Sequence, residues 1–146
     1  MQTCVPCETY IECARVLDRQ RLGKQRVESL QILTSLHATR VGYKYGWANH
    51  PAVKMWAGHE IALAVYSIAI CDEWIDRGYE DSCKGKIKKL LGEFETLDNV
   101  SDIRPSWWGN SRVHDSHKSK LLMKFPQHYS QFKWSVEKDL PYYWPV

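Results

Sequence analysis

This 146-residue chain has few of the sequence features that directly identify a class of protein. The net charge is only +3, from 20 Lys and Arg against 17 Asp and Glu, and this total alone neither predicts nor excludes a nucleic-acid ligand. No run approaches eighteen consecutive apolar residues, so no transmembrane helix is predicted. The first residues lack the basic and apolar regions of a secretory signal. We therefore expect a cytoplasmic protein with no membrane partner.

The cysteines do not form a recognisable disulfide or zinc framework. There are five, an odd number, and the only close pair is Cys4 and Cys7 in a C-x-x-C spacing. No second C-x-x-C follows, so Cys83 and the pair His114 and His117 could complete a zinc site only through the fold. We predict reduced structural thiols, no metal and no cofactor.

The chain also lacks repeats, long linkers and sustained alternation of period two, which argues against strands and against several domains. We predict an all-α single domain, residues 1–146, with about three to five helices around a long central helix. Aromatic-rich loops and a non-helical C-terminal tail complete it. The predicted helices are Glu8 to Leu36 with a break near Gly23, Pro51 to Arg77, Glu80 to Leu91, and His114 to Lys124.

One polar helix face stands out as a candidate site. Arg21, Lys24, Gln25 and Glu28 follow one another at positions i, i+3, i+4 and i+7, so their side chains share a face. A carboxylate framed by cations can stabilise a cationic sugar or move a proton, while arginines hold phosphates. The same spacing also fits an ordinary solvated helix face, and by itself it favours that interpretation.

Aromatic residues are the second signal. Seven Trp and eight Tyr are present, and many lie beside Lys or Arg in predicted loops. Aromatic rings stack on unpaired bases while neighbouring cations follow the backbone, which is typical of proteins that handle an extruded or single-stranded base. The alternative is that a small helical core uses these rings for bulk.

Three segments carry a family resemblance. They are Ala14–Asp18 continuing into Leu22–Glu28, His50–Glu60, and Glu73–Tyr79, with further correspondence around Arg104 to Leu122 and in the tail. Taken together, the chain resembles the pyrimidine-dimer DNA glycosylase/AP-lyase family. The resemblance implies a compact helical domain that needs no metal and acts on damaged DNA through an N-terminal α-amine, an imine at the sugar C1′ and β-elimination.

The resemblance also implies roles for particular residues. Glu28 matches the family's essential carboxylate, and the Met1 amine would be the nucleophile because the bulky Gln2 normally leaves Met1 in place. Lys24 is the alternative nucleophile, and His59 would support Glu28 or assist proton transfer. The predicted DNA contacts are Arg19, Arg21, Arg26, Trp47, Trp107, Trp108, Lys118, Tyr129, Tyr142 and Tyr143.

The expected partner is a DNA duplex with a damaged or modified base, and we expect a monomer associated with nucleoid or viral DNA. Two other functions stay open from the sequence. One is a non-catalytic module that binds damaged or single-stranded DNA. The other is an N-glycosidase acting on a free nucleotide or another small N-glycoside.

Overall fold

The computed structural model describes residues 1–43, 46–94 and 103–146, and all regular secondary structure in these ranges is helical. The helices are α1 (Tyr10–Val16), α2 (Arg19–Arg40), α3 (Pro51–Lys54), α4 (Glu60–Asp76), α5 (Cys83–Phe94), α6 (Ser111–Lys124) and α7 (Pro126–Tyr129). A 3-10 turn at Ser130–Phe132 follows α7. Five of these helices have seven or more residues, and the prediction of an all-α fold is confirmed.

The first predicted helix has its break in a different place. The predicted interruption at Gly23 is wrong: the chain breaks at Leu17 and Asp18, and the Asp18 carboxylate caps α2 by accepting from the Arg21 amide at 3.4 Å. Gly23 lies inside α2, where a Cβ atom would stand 2.9 Å from the ring of Trp74. This glycine therefore serves close packing of α4 on α2 rather than a break.

The central helix is shorter than predicted. It was expected to run from Pro51 to Arg77, and its start is confirmed, since the His50 ring accepts from the Ala52 amide at 3.0 Å. However, α3 ends at Lys54, and a turn with Gly58 at φ +81° precedes α4. Helix α4 is nevertheless central, because it contacts α1, α2 and α5.

The remaining predictions concern the second half of the chain. Helix α5 begins three residues after the predicted start at Glu80 and ends at Phe94, beyond the predicted end at Leu91. Residues 95–102 lie outside the described residues. Helix α6 ends before Pro126 as predicted, and the tail from 140 to 146 is not helical. None of the described helices is both long and apolar enough to cross a bilayer.

Candidate active site

The first six residues form a non-helical segment that lies beside Glu28. We call this segment the N-terminal strap. The Gln2 amide donates to Glu28 Oε2 at 3.0 Å. Gln25, one turn earlier on α2, accepts from the Cys4 amide at 2.9 Å and donates to the Gln2 carbonyl at 2.8 Å. Because Gln25 is only 2% exposed, this pair of bonds is shielded from water and fixes the strap on α2.

Helices α4 and α6 hold the same strap from its other sides. The Tyr66 hydroxyl donates to the Cys4 carbonyl at 2.7 Å. On α6, His117 Nδ1 accepts from the Val5 amide at 3.1 Å, and His114 Nδ1 lies 2.6 Å from the Val5 carbonyl. Burial lowers the pKa of His117 to about 3, so this ring stays neutral and keeps its acceptor. Three helices thus fix the backbone of the strap.

The two histidines of α6 were also candidates for half of a zinc site. His114 Nε2 accepts from the Gly109 amide at 3.0 Å, so both nitrogens of this ring contact backbone groups. Within the described ranges, no group of three or more His, Cys, Asp or Glu residues is placed to hold a metal ion. All five cysteines, including Cys4 and Cys7, are free thiols.

A cavity of about 320 Å³ lies where the strap meets α2 and α6. Its wall includes Met1, Arg21, Lys24, Glu28, Lys124 and Tyr142. Lys24 Nζ lies 3.4 Å from Glu28 Oε1. Met1 and Lys24, the two residues predicted to supply the nucleophile, therefore both line the cavity that contains the predicted catalytic carboxylate. We call this the reaction cavity.

His50 lies close enough to the reaction cavity for charges there to change the pKa of its ring. Burial lowers the pKa of His50, the positive charge of the Met1 α-amine lowers it further, and the Glu28 carboxylate opposes both.

Four rings form a row, here called the aromatic rim, that reaches the reaction cavity at Tyr142. The centroids of Trp47 and His50 are 5.9 Å apart, those of His50 and Trp144 are 6.0 Å apart, and those of Trp144 and Tyr142 are 5.6 Å apart. The Lys124 ammonium lies 5.8 Å from the Tyr142 ring centroid. Cations and aromatic rings are thus side by side next to Glu28, the combination used to bind unpaired nucleotides.

Comparison with known proteins gives a family match. The model of one family, described as pyrimidine dimer DNA glycosylase, matches residues 1–86. The chain belongs to this family. The matched span includes the N-terminal strap, Lys24, Gln25 and Glu28, whereas α6 and the tail lie beyond it. No curated protein and no solved structure gives a match.

Several residues predicted to contact DNA in this family member instead have buried contacts. The Arg26 guanidinium pairs with Asp81 at 2.5 Å and lies 4.5 Å from the centroid of the Trp74 ring. Trp107 is 8% exposed and donates to the Met55 carbonyl at 2.7 Å. Neither residue reaches the reaction cavity, because each is used for packing between helices.

Tyr129 is fully buried, and its hydroxyl donates to the Asp18 carboxylate. Asp18 also pairs with Arg21 at 3.3 Å, so Tyr129 acts on the reaction cavity only through the placement of Arg21. A buried ring cannot stack on a base. Its observed contribution is to the packing of the chain between α1 and α2.

Other predicted residues lie away from Glu28. His59 contacts Ser106 Oγ at 3.3 Å and lines a different cavity, so the structure does not bring it to Glu28. Trp108 donates to the Glu8 carbonyl at 2.7 Å, and Arg19 lies 5.8 Å from the Tyr79 ring centroid. Lys118 is half-buried on α6 near Cys7, where its charge helps to lower the pKa of that thiol after the larger effect of the Cys13 hydrogen bond.

Two residues of the site, His50 and Lys124, had no role predicted from the sequence, and the anchor Gln25 had none beyond its place on the polar face. Gln25 was on the predicted polar face with Glu28, and this shared face was the available signal. The others are far from Glu28 in sequence, and no local pattern links them to it.

Proposed function

We propose that this family member is a DNA N-glycosylase with AP-lyase activity, acting on a damaged or modified pyrimidine. One observation carries the proposal: the N-terminal strap and Glu28 meet, with the Gln2 amide 3.0 Å from the carboxylate, in a cavity flanked by Arg21, Lys24 and Lys124. An amine, a carboxylate and phosphate-binding cations are what imine chemistry on DNA requires.

The reaction follows from these groups. The neutral amine attacks C1′ of the target nucleotide, the glycosidic bond breaks, and the base leaves with the bonding electrons and takes up a proton. The sugar ring then opens to give a protonated imine. Loss of a C2′ proton and departure of the 3′ phosphate cut the strand, and water hydrolyses the imine to regenerate the amine. Glu28 stabilises the cationic sugar and imine and orients the amine.

Two amines are candidates for the nucleophile. The first is the α-amine at residue 1, because the strap places Met1 on the cavity wall; removal of Met1 would make the Gln2 nitrogen, 3.0 Å from Glu28, the amine instead. The second is Lys24, whose ammonium is 3.4 Å from Glu28. The side chain of Lys24 is 74% exposed, whereas the strap is fixed by three helices. Because residue 1 directly precedes this fixed backbone, the α-amine is our choice.

Borohydride trapping tests this proposal. Wild-type protein with its native terminus, mixed with an abasic-site duplex and borohydride, should give a covalent adduct that maps to residue 1 by intact mass and peptide analysis. An adduct on Lys24 would keep the chemistry and change the nucleophile. DNA binding without an adduct would contradict the proposal and favour a binding module, and turnover of free nucleosides without DNA binding would favour an N-glycosidase on small substrates.

Substitution of the carboxylate is the second test. Glu28→Gln should keep DNA binding and lower cleavage of the abasic duplex by about 100-fold or more, since a positioned acid or base contributes 10²–10⁴-fold. Glu80→Gln, an exposed carboxylate outside the reaction cavity, is the matched control. Cleavage retained in Glu28→Gln would remove this residue from the mechanism.

A further inference from the structure

Cys7 and Cys13 lie side by side where the chain leaves the N-terminal strap and enters α1. Cys13 Sγ accepts from the Cys7 amide at 3.3 Å and donates to the Cys7 carbonyl at 3.5 Å. The Cys13 sulfur therefore lies against the backbone of the residue that carries the second thiol. The C-x-x-C spacing of Cys4 and Cys7 gave no indication of this pairing.

The start of α1 brings these two cysteines together. Thr9 caps the helix, since its hydroxyl accepts from the Glu12 amide at 3.1 Å, and its carbonyl accepts from the Cys13 amide at 3.1 Å. These bonds fix the beginning of α1 directly after Cys7. Because Cys13 is fully buried, its contacts with Cys7 are protected from water. The fold thus forms the pair before any oxidation takes place.

The two thiols have different reactivities. Cys7 is half-buried, whereas Cys13 is 0% exposed, so a reagent in solution reaches Cys7 first. The hydrogen bond from Cys13 lowers the pKa of the Cys7 thiol, and the positive charge of Lys118 adds to this effect, against the opposing effects of burial and of Glu12. Thiol–disulfide exchange begins with attack by a thiolate. Cys7 is therefore suited to attack and Cys13 to resolve.

The other three cysteines lack this combination. Burial raises the pKa of the Cys4 thiol to about 12, so near neutral pH this thiol is protonated and reacts slowly. Burial also raises the pKa of Cys71 on α4 and of Cys83 at the start of α5, and both residues are buried. Cys7 is thus the thiol that should react first with an oxidant.

We propose that Cys7 and Cys13 are a redox modification site, at which a small-molecule disulfide such as oxidised glutathione forms a reversible Cys7–Cys13 disulfide. This inference does not rest on the proposed function. The chemistry is an exchange in two steps. The Cys7 thiolate attacks one sulfur of the small disulfide, whose S–S bond breaks, and one small thiolate leaves.

The second step closes the disulfide within the protein. The Cys13 thiol gives up its proton and attacks the Cys7 sulfur of the mixed disulfide, and the second small thiolate leaves. The two cysteines lose two electrons and two protons together, and the small disulfide is reduced to two thiols. The new bond joins the end of the strap to α1.

Peptide mapping tests the assignment. Folded wild-type protein is incubated with oxidised glutathione, free thiols are blocked with iodoacetamide, and peptides are analysed by mass spectrometry without reduction. We expect a Cys7–Cys13 disulfide that dithiothreitol reverses. Cys4→Ser should keep this disulfide, because Cys4 is not part of the pair. A Cys4–Cys7 disulfide, or a Cys71–Cys83 disulfide with Cys7 and Cys13 still free, would overturn the proposal.

Single variants of the pair test the order of the two steps. Cys13→Ser should stop at the mixed disulfide and keep glutathione on Cys7, since a hydroxyl cannot resolve it, whereas Cys7→Ser should leave Cys13 unmodified. Circular dichroism checks that each variant is folded, and Cys13→Ala replaces Cys13→Ser if the buried hydroxyl prevents folding. Glutathione that stays on Cys7 in wild type, or that appears on Cys13 in Cys7→Ser, would contradict these roles.

Thermal unfolding gives a separate measurement. A disulfide that closes the short loop between Cys7 and Cys13 constrains the unfolded chain and should raise the melting temperature of wild type by roughly 5–10 °C. The same treatment should leave the melting temperature of Cys7→Ser unchanged. An equal rise in Cys7→Ser would assign the effect to another site and overturn the proposal.

Discussion

Replacing Gln25 with methionine should show how much the anchored position of the strap contributes to the reaction rate, because Glu28 itself is unchanged. Methionine has nearly the same length and volume, so Gln25→Met removes the two bonds to the strap without opening a large cavity. The lost contacts are those to the Cys4 amide at 2.9 Å and to the Gln2 carbonyl at 2.8 Å. What remains is a strap that keeps its bonds to α4 and α6 and loses its anchor beside Glu28.

The size of the effect follows from those two bonds. Each intramolecular hydrogen bond contributes about 0.5–1.5 kcal/mol net, so the pair contributes about 1–3 kcal/mol. If this free energy holds the amine in its reactive position, its loss lowers the rate of imine formation by about 5- to 150-fold, at ten-fold per 1.36 kcal/mol. Arg21 and Lys124 are untouched, so the KM for DNA should change little while kcat falls.

The assay is cleavage of an abasic-site duplex under single-turnover and steady-state conditions, with borohydride trapping beside it. Gln20→Met is the matched control, because Gln20 lines the same cavity on the same helix but is exposed. Hydrogen exchange at the Cys4 amide should accelerate in Gln25→Met and not in the control. A folded Gln25→Met protein that cleaves within two-fold of wild type would refute the reasoning, as would an equal loss in Gln20→Met.

Three further predictions concern packing, pH and salt. Gly23→Ala should lower the melting temperature by a few degrees, because the new Cβ atom would lie 2.9 Å from the Trp74 ring. Since alanine by itself favours helices, a rise in melting temperature would contradict this packing argument. Burial alone would raise the pKa of Asp18, but the hydrogen bond from Tyr129 and the charge of Arg21 lower this pKa below its ordinary value of 3.8. The ionised Asp18 therefore stabilises the folded protein above pH 3.8, and this contribution to the free energy of unfolding is lost as the pH falls through the lowered pKa. Asp18→Asn should therefore unfold with a weaker dependence on pH between about 5 and 2 in chemical denaturation. Lys124→Gln should weaken binding of duplexes of any sequence and reduce the salt dependence of log Kd by about one phosphate contact, whereas an unchanged salt slope would exclude this contact.

Much of the fold could be predicted from local sequence. The start of α3 was visible in His50 and Pro51, and the end of α4 in Gly78, because capping and positive φ depend on a few adjacent residues. The predicted break at Gly23 was wrong because the role of this glycine depends on a residue far away in the sequence. Whether a glycine interrupts a helix or admits a neighbouring ring depends on Trp74, 51 positions later in the chain.

The site was predictable to a similar, limited extent. Helical spacing alone puts Lys24, Gln25 and Glu28 on one face, and the packing of the strap brings Met1 to the same cavity. The spacing did not indicate that Tyr129 is buried on Asp18, or that Arg26 pairs with Asp81. Loop aromatics and helix-face arginines have the same local pattern whether they meet solvent, DNA or another helix.

The sequence by itself determined the helical class, the family and the polar face that includes Glu28, because periodicity, caps and motifs are local properties of the chain. Only the tertiary structure decided which groups share the reaction cavity. The strap begins 27 residues before Glu28, and Lys124 and Tyr142 follow it by about a hundred, so their meeting depends on how α2, α4 and α6 pack. Long-range packing sets these distances, and the chemistry proposed for this family member depends on them.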